Sequence, residues 1–206
     1  SAYAYGHLAF IAEPEEARGL VEQAQASIDR AVVEAPDDLR QYAGKRAIAF
    51  AQGDAERAVA AAERAYELAP NDSYTRATLG HALTCAGRAD EALALITMAL
   101  RDMPSPPGWM AMSNVLCHFV LGEYAKAMEI GRETLARQPD FYPVPPLIAA
   151  LAAELNMPEE MAAMRDLTLR ADPQFGAKIF VKWVGLTKPE HRDRLMVSLK
   201  AARLPG

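Results

Sequence analysis

The chain has 206 residues, 51% of them hydrophobic and 24% charged, with a net charge of −5 at pH 7. This composition supports one elongated domain with a continuous core, and no strand-rich or low-complexity segment interrupts it. No apolar run approaches the roughly 18 residues of a membrane helix, the N-terminus lacks the basic and apolar regions of a secretion signal, and Cys85 and Cys117 have no second pair, so the expectation is a cytoplasmic chain with reduced thiols.

The first element predicted is a short helix over Ala2–Ile11, followed by a longer one from Pro14 to about Ala35. Pro14 at the first helical position, with Glu15 and Glu16 behind it, is a start signal. Ala17, Leu20, Val21, Ala24, Ile28, Ala31 and Val32 then recur at the helical period. Residues 1–36 read as a partial unit of the pattern that follows.

Pro36, Pro70, Pro104, Pro139 and Pro173 succeed one another at intervals of 34, 34, 35 and 34 residues. Gly53, Gly87 and Gly122 each lie 17 residues before their proline, and Ala58, Ala92 and Ala127 each lie 12 before. A period of this length, with three offsets in step, predicts stacked helical hairpins. Proline lacks an N–H and clashes with the preceding turn, so it follows a helix that has ended. Glycine reaches the left-handed backbone region without a Cβ penalty and lets the second helix fold back on the first. The alanines fall early in that second helix, where a small side chain permits an interaxial distance at the short end of about 8–10 Å. By the same offsets Gly19 would mark a turn before Pro36, but the start signal at Pro14 outweighs it.

The segment Ser73 to Pro104 resembles the tetratricopeptide repeat, with Leu79-Gly80, Gly87, Ala92, Ile96, Ala99 and Pro104 at that family's packing, turn and terminal positions. Its neighbours keep the frame and drift: Lys45-Arg46 and Asn114-Val115 stand in place of Leu-Gly, and in the last copy Asn156 replaces the turn glycine and Met161 the alanine. The units are 37–70, 71–104, 105–139 and 140–173. Beyond them, 174–206 should cap the stack, with a final helix from about Pro189 to Arg203. The resemblance implies an all-α, right-handed superhelical solenoid of antiparallel helix pairs with a C-terminal capping helix.

Catalytic chemistry has little to stand on. There is no phosphate-binding glycine loop, no nucleophile elbow and no paired-histidine zinc helix. His191-Arg192-Asp193 resembles the start of a kinase catalytic loop, but no Asn follows at the needed distance. His81 and Cys85 stand four apart on one helix face, with Cys117-His118 in the next repeat. A mixed zinc site is weighed there against packed single residues, and packing is the reading taken. No cofactor, metal or catalytic residue is expected. The C-terminal 174–206 holds seven Lys or Arg against two acidic residues, a balance of +5, which leaves −10 on the remaining 173 residues. A basic cap on an acidic array could dock an acidic partner or a second copy, or could be a solvated helix; homo-oligomerisation stays open. An acidic array without a reader motif excludes nucleic acid, and no membrane partner is expected.

In stacks of this kind the first helix of each hairpin lines a concave groove. The repeat frame nominates Arg40, Ala43, Ala47, Phe50 and Ala51, then Tyr74, Ala77, His81, Thr84 and Cys85, then Trp109, Met112, Leu116 and Val120, and lastly Ala150 and Glu154. Such a surface suits a protein or peptide partner, with Tyr74 and Trp109 as anchors or as cement between repeats. Ala43 and Ala47 stand where related co-chaperones carry the Lys and Asn of a carboxylate clamp, so that clamp is absent.

Pro106-Pro107-Gly108-Trp109, His118 to Tyr124, Pro139-Asp140-Phe141 and the ending Arg194-Leu195 to Pro205 resemble the C-terminal repeat region of bacterial class III adenylate/guanylate cyclases, with Arg203 where that ending has Gly. The resemblance implies a regulatory interaction module whose chemistry belongs to a separate domain; the alternative is a small-molecule or peptide sensor of a winged-helix regulator. Incubated with ATP or GTP and a divalent metal, the purified chain should form no cyclic nucleotide, a result read directly by chromatography.

Overall fold

The computed structural model describes residues 14–35 and 38–206. The helix predicted over Ala2–Ile11, and Pro36, lie outside the described residues. Among the described residues there are eleven helices and no strand. Helix α1 (Pro14–Glu34) runs through Gly19 without a turn. Four hairpins follow: α2 (Leu39–Ala51) with α3 (Ala55–Leu68), α4 (Ser73–Cys85) with α5 (Ala89–Arg101), α6 (Gly108–Val120) with α7 (Tyr124–Arg137), and α8 (Val144–Glu154) with α9 (Pro158–Ala171). The last two are α10 (Ala177–Val184) and α11 (Pro189–Ala201). Each first helix packs on its own partner and on the helix before it, and α4 touches α6, which touches α8.

Every hairpin closes by the same backbone device. Gly53, Gly87 and Gly122 adopt φ of 72°, 79° and 76°, and Asn156 takes their place in the last hairpin with φ 53°. In each case the left-handed residue bonds three residues back and the next residue bonds five back: Gly53 N–H to the Phe50 carbonyl and Asp54 N–H to that of Ala49, and likewise Asn156 to Ala153 and Met157 to Ala152. The same motif ends α11, where Arg203 at φ 59° is the left-handed residue and Leu204 N–H reaches the Leu199 carbonyl. Arg203, which stands where the sequence resemblance would place Gly, is thus held in a conformation that favours glycine. Asp38, Asp54 and Asp72 cap α2, α3 and α4 by accepting from the backbone N–H of Arg40, Arg57 and Thr75.

The two helices of each of the first three pairs meet at small residues. Ala58, Ala92 and Ala127 are fully buried. A Cβ on Gly80 would stand 2.5 Å from Ile96 Cγ1, which fixes why α4 carries glycine where α5 crosses it. Met161 replaces the alanine in α9 and packs, half-buried, against the core; Thr168 is the one buried residue of that helix.

The C-terminal segment does more than cover the end of the stack. Helices α10 and α11 turn back over the inner side of the array: Thr187 N–H and Oγ1 both donate to the Cys85 carbonyl at 3.0 Å, two hairpins upstream, and Lys188 lies against Gly87. Ser198 donates to Glu154 of α8, and Arg194 to the Tyr124 hydroxyl. Phe175, Phe180, Val181, Val184, Leu186, Leu195, Leu199 and Leu204 are buried in one core with α6, α7 and α8. Burying each such side chain is worth about 1.5–3 kcal/mol, against about 1 kcal/mol for a neutral hydrogen bond, so apolar contact holds this hook in place and the polar links set its register.

The turn motif yields a paired test. No neighbour lies within 4 Å of the Cβ that Gly53→Ala would add, so backbone strain alone should lower stability by about 1 kcal/mol. Arg203→Gly should raise it by about 0.5–1 kcal/mol, because relief of the left-handed strain exceeds the added freedom of the unfolded chain. Denaturant midpoints of the two variants check both signs.

Candidate functional site

The concave side keeps one aromatic cavity of about 420 Å³. Its walls follow from helical periodicity: α2 supplies Ala43, Arg46, Ala47 and Phe50, α4 supplies Tyr74, Thr78 and His81, and α6 supplies Trp109 and Met112, each set on one face of its helix. Phe141, just before α8, completes the array side, and Trp183, Val184 and Gly185 at the end of α10 form the opposite wall. The hook thus turns an open groove into a pocket.

The rings are set at angles rather than stacked flat. Tyr74 and Trp109 lie 6.0 Å apart at 49°, and Phe50 and His81 lie 6.0 Å apart at 60°. The Arg46 guanidinium sits 5.6 Å from the Phe50 ring centre. Trp183 stacks on Phe180, whose ring is buried in the core below. Gly108 explains part of this arrangement: a Cβ there would come within 2.7 Å of Phe141 Cγ, so the Pro106-Pro107-Gly108-Trp109 turn lets the start of α6 approach Phe141 closely.

His81 is the polar centre of the pocket. Burial, and then the positive charge of Arg46, push its pKa down to about 3, so the ring is neutral. Ser113 Oγ lies 3.1 Å from His81 Nδ1 and 2.8 Å from the Trp109 carbonyl. A carbonyl can only accept, so the hydroxyl proton goes to Trp109, the imidazole proton sits on Nδ1, and Nε2 is left as an acceptor. Nε2 faces the Cys85 sulfur at 3.7 Å, and that thiol lies 3.5 Å from the Val184 carbonyl. Burial pushes the Cys85 thiol up to about 12 and the Cys117 thiol up to about 11, so both stay protonated. His118 Nδ1 pairs with Glu123 at 2.6 Å. Among the described residues no three His, Cys, Asp or Glu side chains come together as a metal site, and no helix is long and apolar enough to cross a membrane.

Of the sixteen residues nominated from the repeat frame, Ala43, Ala47, Phe50, Tyr74, His81, Trp109 and Met112 come together around this cavity. Nine do not. Ala77, Thr84, Cys85, Leu116 and Ala150 are fully buried and present no surface, and Ala51 and Val120 are half-buried away from it. Arg40 is exposed at the start of α2, forked onto Asp38, and Glu154 accepts from Ser198 of the hook. The frame does not nominate Arg46, Thr78, Phe141 or the α10 wall. Trp183 is the available signal: one of two tryptophans in the chain, it stands in an apolar stretch outside the period.

Residues 49–115, from α2 into α6, match the family model of the tetratricopeptide repeat. The fold is that of a tetratricopeptide-repeat solenoid, with the family model matching this central stretch. Among solved structures the chain is similar to PilW, a widely conserved type IV pilus biogenesis factor, at 19% identity and TM-score 0.69, over 98% of this chain and 89% of that one. It is similar also to Pseudomonas aeruginosa PilF, at 19% identity and TM-score 0.65, over 96% and 88%. A third is YrrB, a TPR protein with an unusual peptide-binding site, at 16% identity and TM-score 0.56, over 78% and 81%. No curated protein matches the sequence.

The depressed basicity of His81 gives stability a pH dependence of defined sign. The folded ring stays neutral to about pH 3, whereas an unfolded histidine takes up a proton near 6.5. The stabilisation is therefore complete above about 6.5 and is lost as pH falls toward 3, by about 2 kcal/mol at pH 5. His81→Gln should remove that share, so its loss of stability between pH 7 and 5 is smaller by about 2 kcal/mol in urea titrations at the two pH values.

Proposed function

We propose that the chain is a non-catalytic interaction scaffold that takes a short peptide segment in the aromatic cavity between the first helices and α10. The observation that carries this is the convergence of Phe50, Tyr74, Trp109 and Trp183, from four separate helices, on one opening of about 420 Å³. Rigid aromatic side chains of this kind supply most of the energy in peptide recognition. The cavity admits one or two bulky side chains rather than the length of a helix, because α10 and α11 already cover the groove beside it. The peptide-binding site of YrrB, a protein of the same fold, supports the reading. A regulatory setting beside a cyclase-like domain, and a cytoplasmic one, belong to the same proposal; the C-terminal motifs support the first and the two free, buried thiols of Cys85 and Cys117 the second.

A second reading, a small-molecule sensor, is favoured by one observation: the cavity volume falls in the range of about 300–1,000 Å³ typical of ligand pockets. The two tryptophans of the chain both line the cavity, so any occupant should shift intrinsic emission. Panning a random dodecapeptide display library on the purified chain should yield peptides that shift that emission. Combined Tyr74→Ala and Trp109→Ala should weaken them about tenfold or more while circular dichroism stays helical. Unchanged affinity removes the cavity from the account; an empty peptide selection beside a small compound that shifts emission moves the assignment to the sensor.

A further inference from the structure

We propose that the segment held in the aromatic cavity presents a tryptophan or tyrosine side chain, whose neutral N–H or O–H completes a hydrogen-bond network on the cavity wall that is one donor short. This rests on the reading of the cavity as a peptide site and names the side chain that it takes.

The shortage follows from the protons around His81. Ser113 gives its hydroxyl proton to the Trp109 carbonyl, and the single imidazole proton, on Nδ1, goes to Ser113 Oγ. Two acceptors are left, His81 Nε2 and the Val184 carbonyl, and both belong to residues that line the cavity. One donor serves the two: the Cys85 thiol, 3.7 Å from Nε2 and 3.5 Å from the Val184 oxygen. Among the described residues neither acceptor has another donor. Burial keeps the thiol protonated and the ring neutral, so ionisation does not alter the balance.

A thiol carries one hydrogen, so one acceptor always goes without. A donor arriving at the Val184 carbonyl lets the thiol turn to Nε2, and a donor arriving at Nε2 leaves it on Val184. An unmet buried acceptor is costly to keep, which favours an occupant that supplies the missing hydrogen over one of the same shape that does not.

The rest of the wall selects the group that carries this hydrogen. Ala43, Ala47, Phe50, Met112 and Trp183 are apolar, and the Arg46 guanidinium beside the Phe50 ring disfavours a second cation, which sets lysine and arginine aside. Serine and asparagine bring a donor without the apolar surface that the rings cover. Indole and phenol bring both, a large ring and one uncharged hydrogen.

The test uses the full chain and peptides from the dodecapeptide selection, with affinity read by calorimetry. Selected peptides should share a Trp or Tyr. Replacing that Trp by 3-benzothienylalanine, in which sulfur stands for the indole N–H, or that Tyr by Phe, should weaken binding about tenfold. His81→Phe removes one of the two acceptors, so the thiol suffices for Val184, and the donor and donor-free peptides should then bind within about threefold of each other. Peptides without a shared Trp or Tyr, or equal binding of the two forms by the unaltered chain, overturn the inference even where Tyr74→Ala with Trp109→Ala still abolishes binding. A tenfold preference that persists in His81→Phe overturns it as well, and if that variant does not fold, the peptide comparison on the unaltered chain decides alone. Insensitivity to the aromatic pair instead overturns the underlying peptide reading.

Discussion

The architecture depends on a single backbone constraint met six times among the described residues: a residue held at positive φ just after a helix, at Gly53, Gly87, Gly122, Asn156, Gly185 and Arg203. At Gly53, Gly87, Gly122 and Asn156 it reverses the chain within two residues and ties off the carbonyls of the helix it ends. In the first three hairpins the paired helices run close from their first contact and a small side chain sits at the crossing, while Met161 takes that place in the fourth. Ala58, Ala92 and Ala127 accordingly recur with the glycines and lie fully buried. Because each turn repeats the last, the first helices all face the same side, and a concave surface follows from local stereochemistry alone.

What distinguishes this molecule from a bare stack is how it disposes of that surface. The C-terminal segment carries a dense set of apolar residues and a positive balance of charge, and it buries the former against α6, α7 and α8. Its Lys178, Lys182 and Arg192 border a second cleft beside Phe50. One element therefore acts as core, as pocket wall through Trp183, and as the border of that second cleft. In the proposed reading, desolvated aromatic contact in the cavity would carry the affinity for a partner.

The repeat frame was legible in the sequence because proline, glycine and alanine act through their own backbone and their nearest helix, at fixed distances along the chain. The helix pairs, the continuous α1 through Gly19 and the left-handed role of Asn156 all rest on such local rules. Site residues were legible only where the frame alone decided their direction, as for Phe50, Tyr74, His81 and Trp109. Leu116 shares the offset of Ala47 and His81 from the following proline, yet it is fully buried, in the core that the hook joins. Glu154 is similarly met by Ser198. Contacts between Cys85 and Val184, 99 residues apart, leave no periodic trace, so the return of α10 into the groove could not be inferred from spacing.

The bond from Thr187 back to Cys85 spans 102 residues and changes what kind of object the array is. A solenoid in which each repeat touches only its neighbours can melt or assemble piece by piece, like a one-dimensional chain of weakly linked units. Here a segment synthesised after all four hairpins braces α4, α7 and α8 at once. The upstream hairpins can form early, but their inner apolar faces remain uncovered until the ribosome has released this later stretch. Loss of even a few residues from the hook would therefore loosen several hairpins together, and an array built from repeats would fail cooperatively.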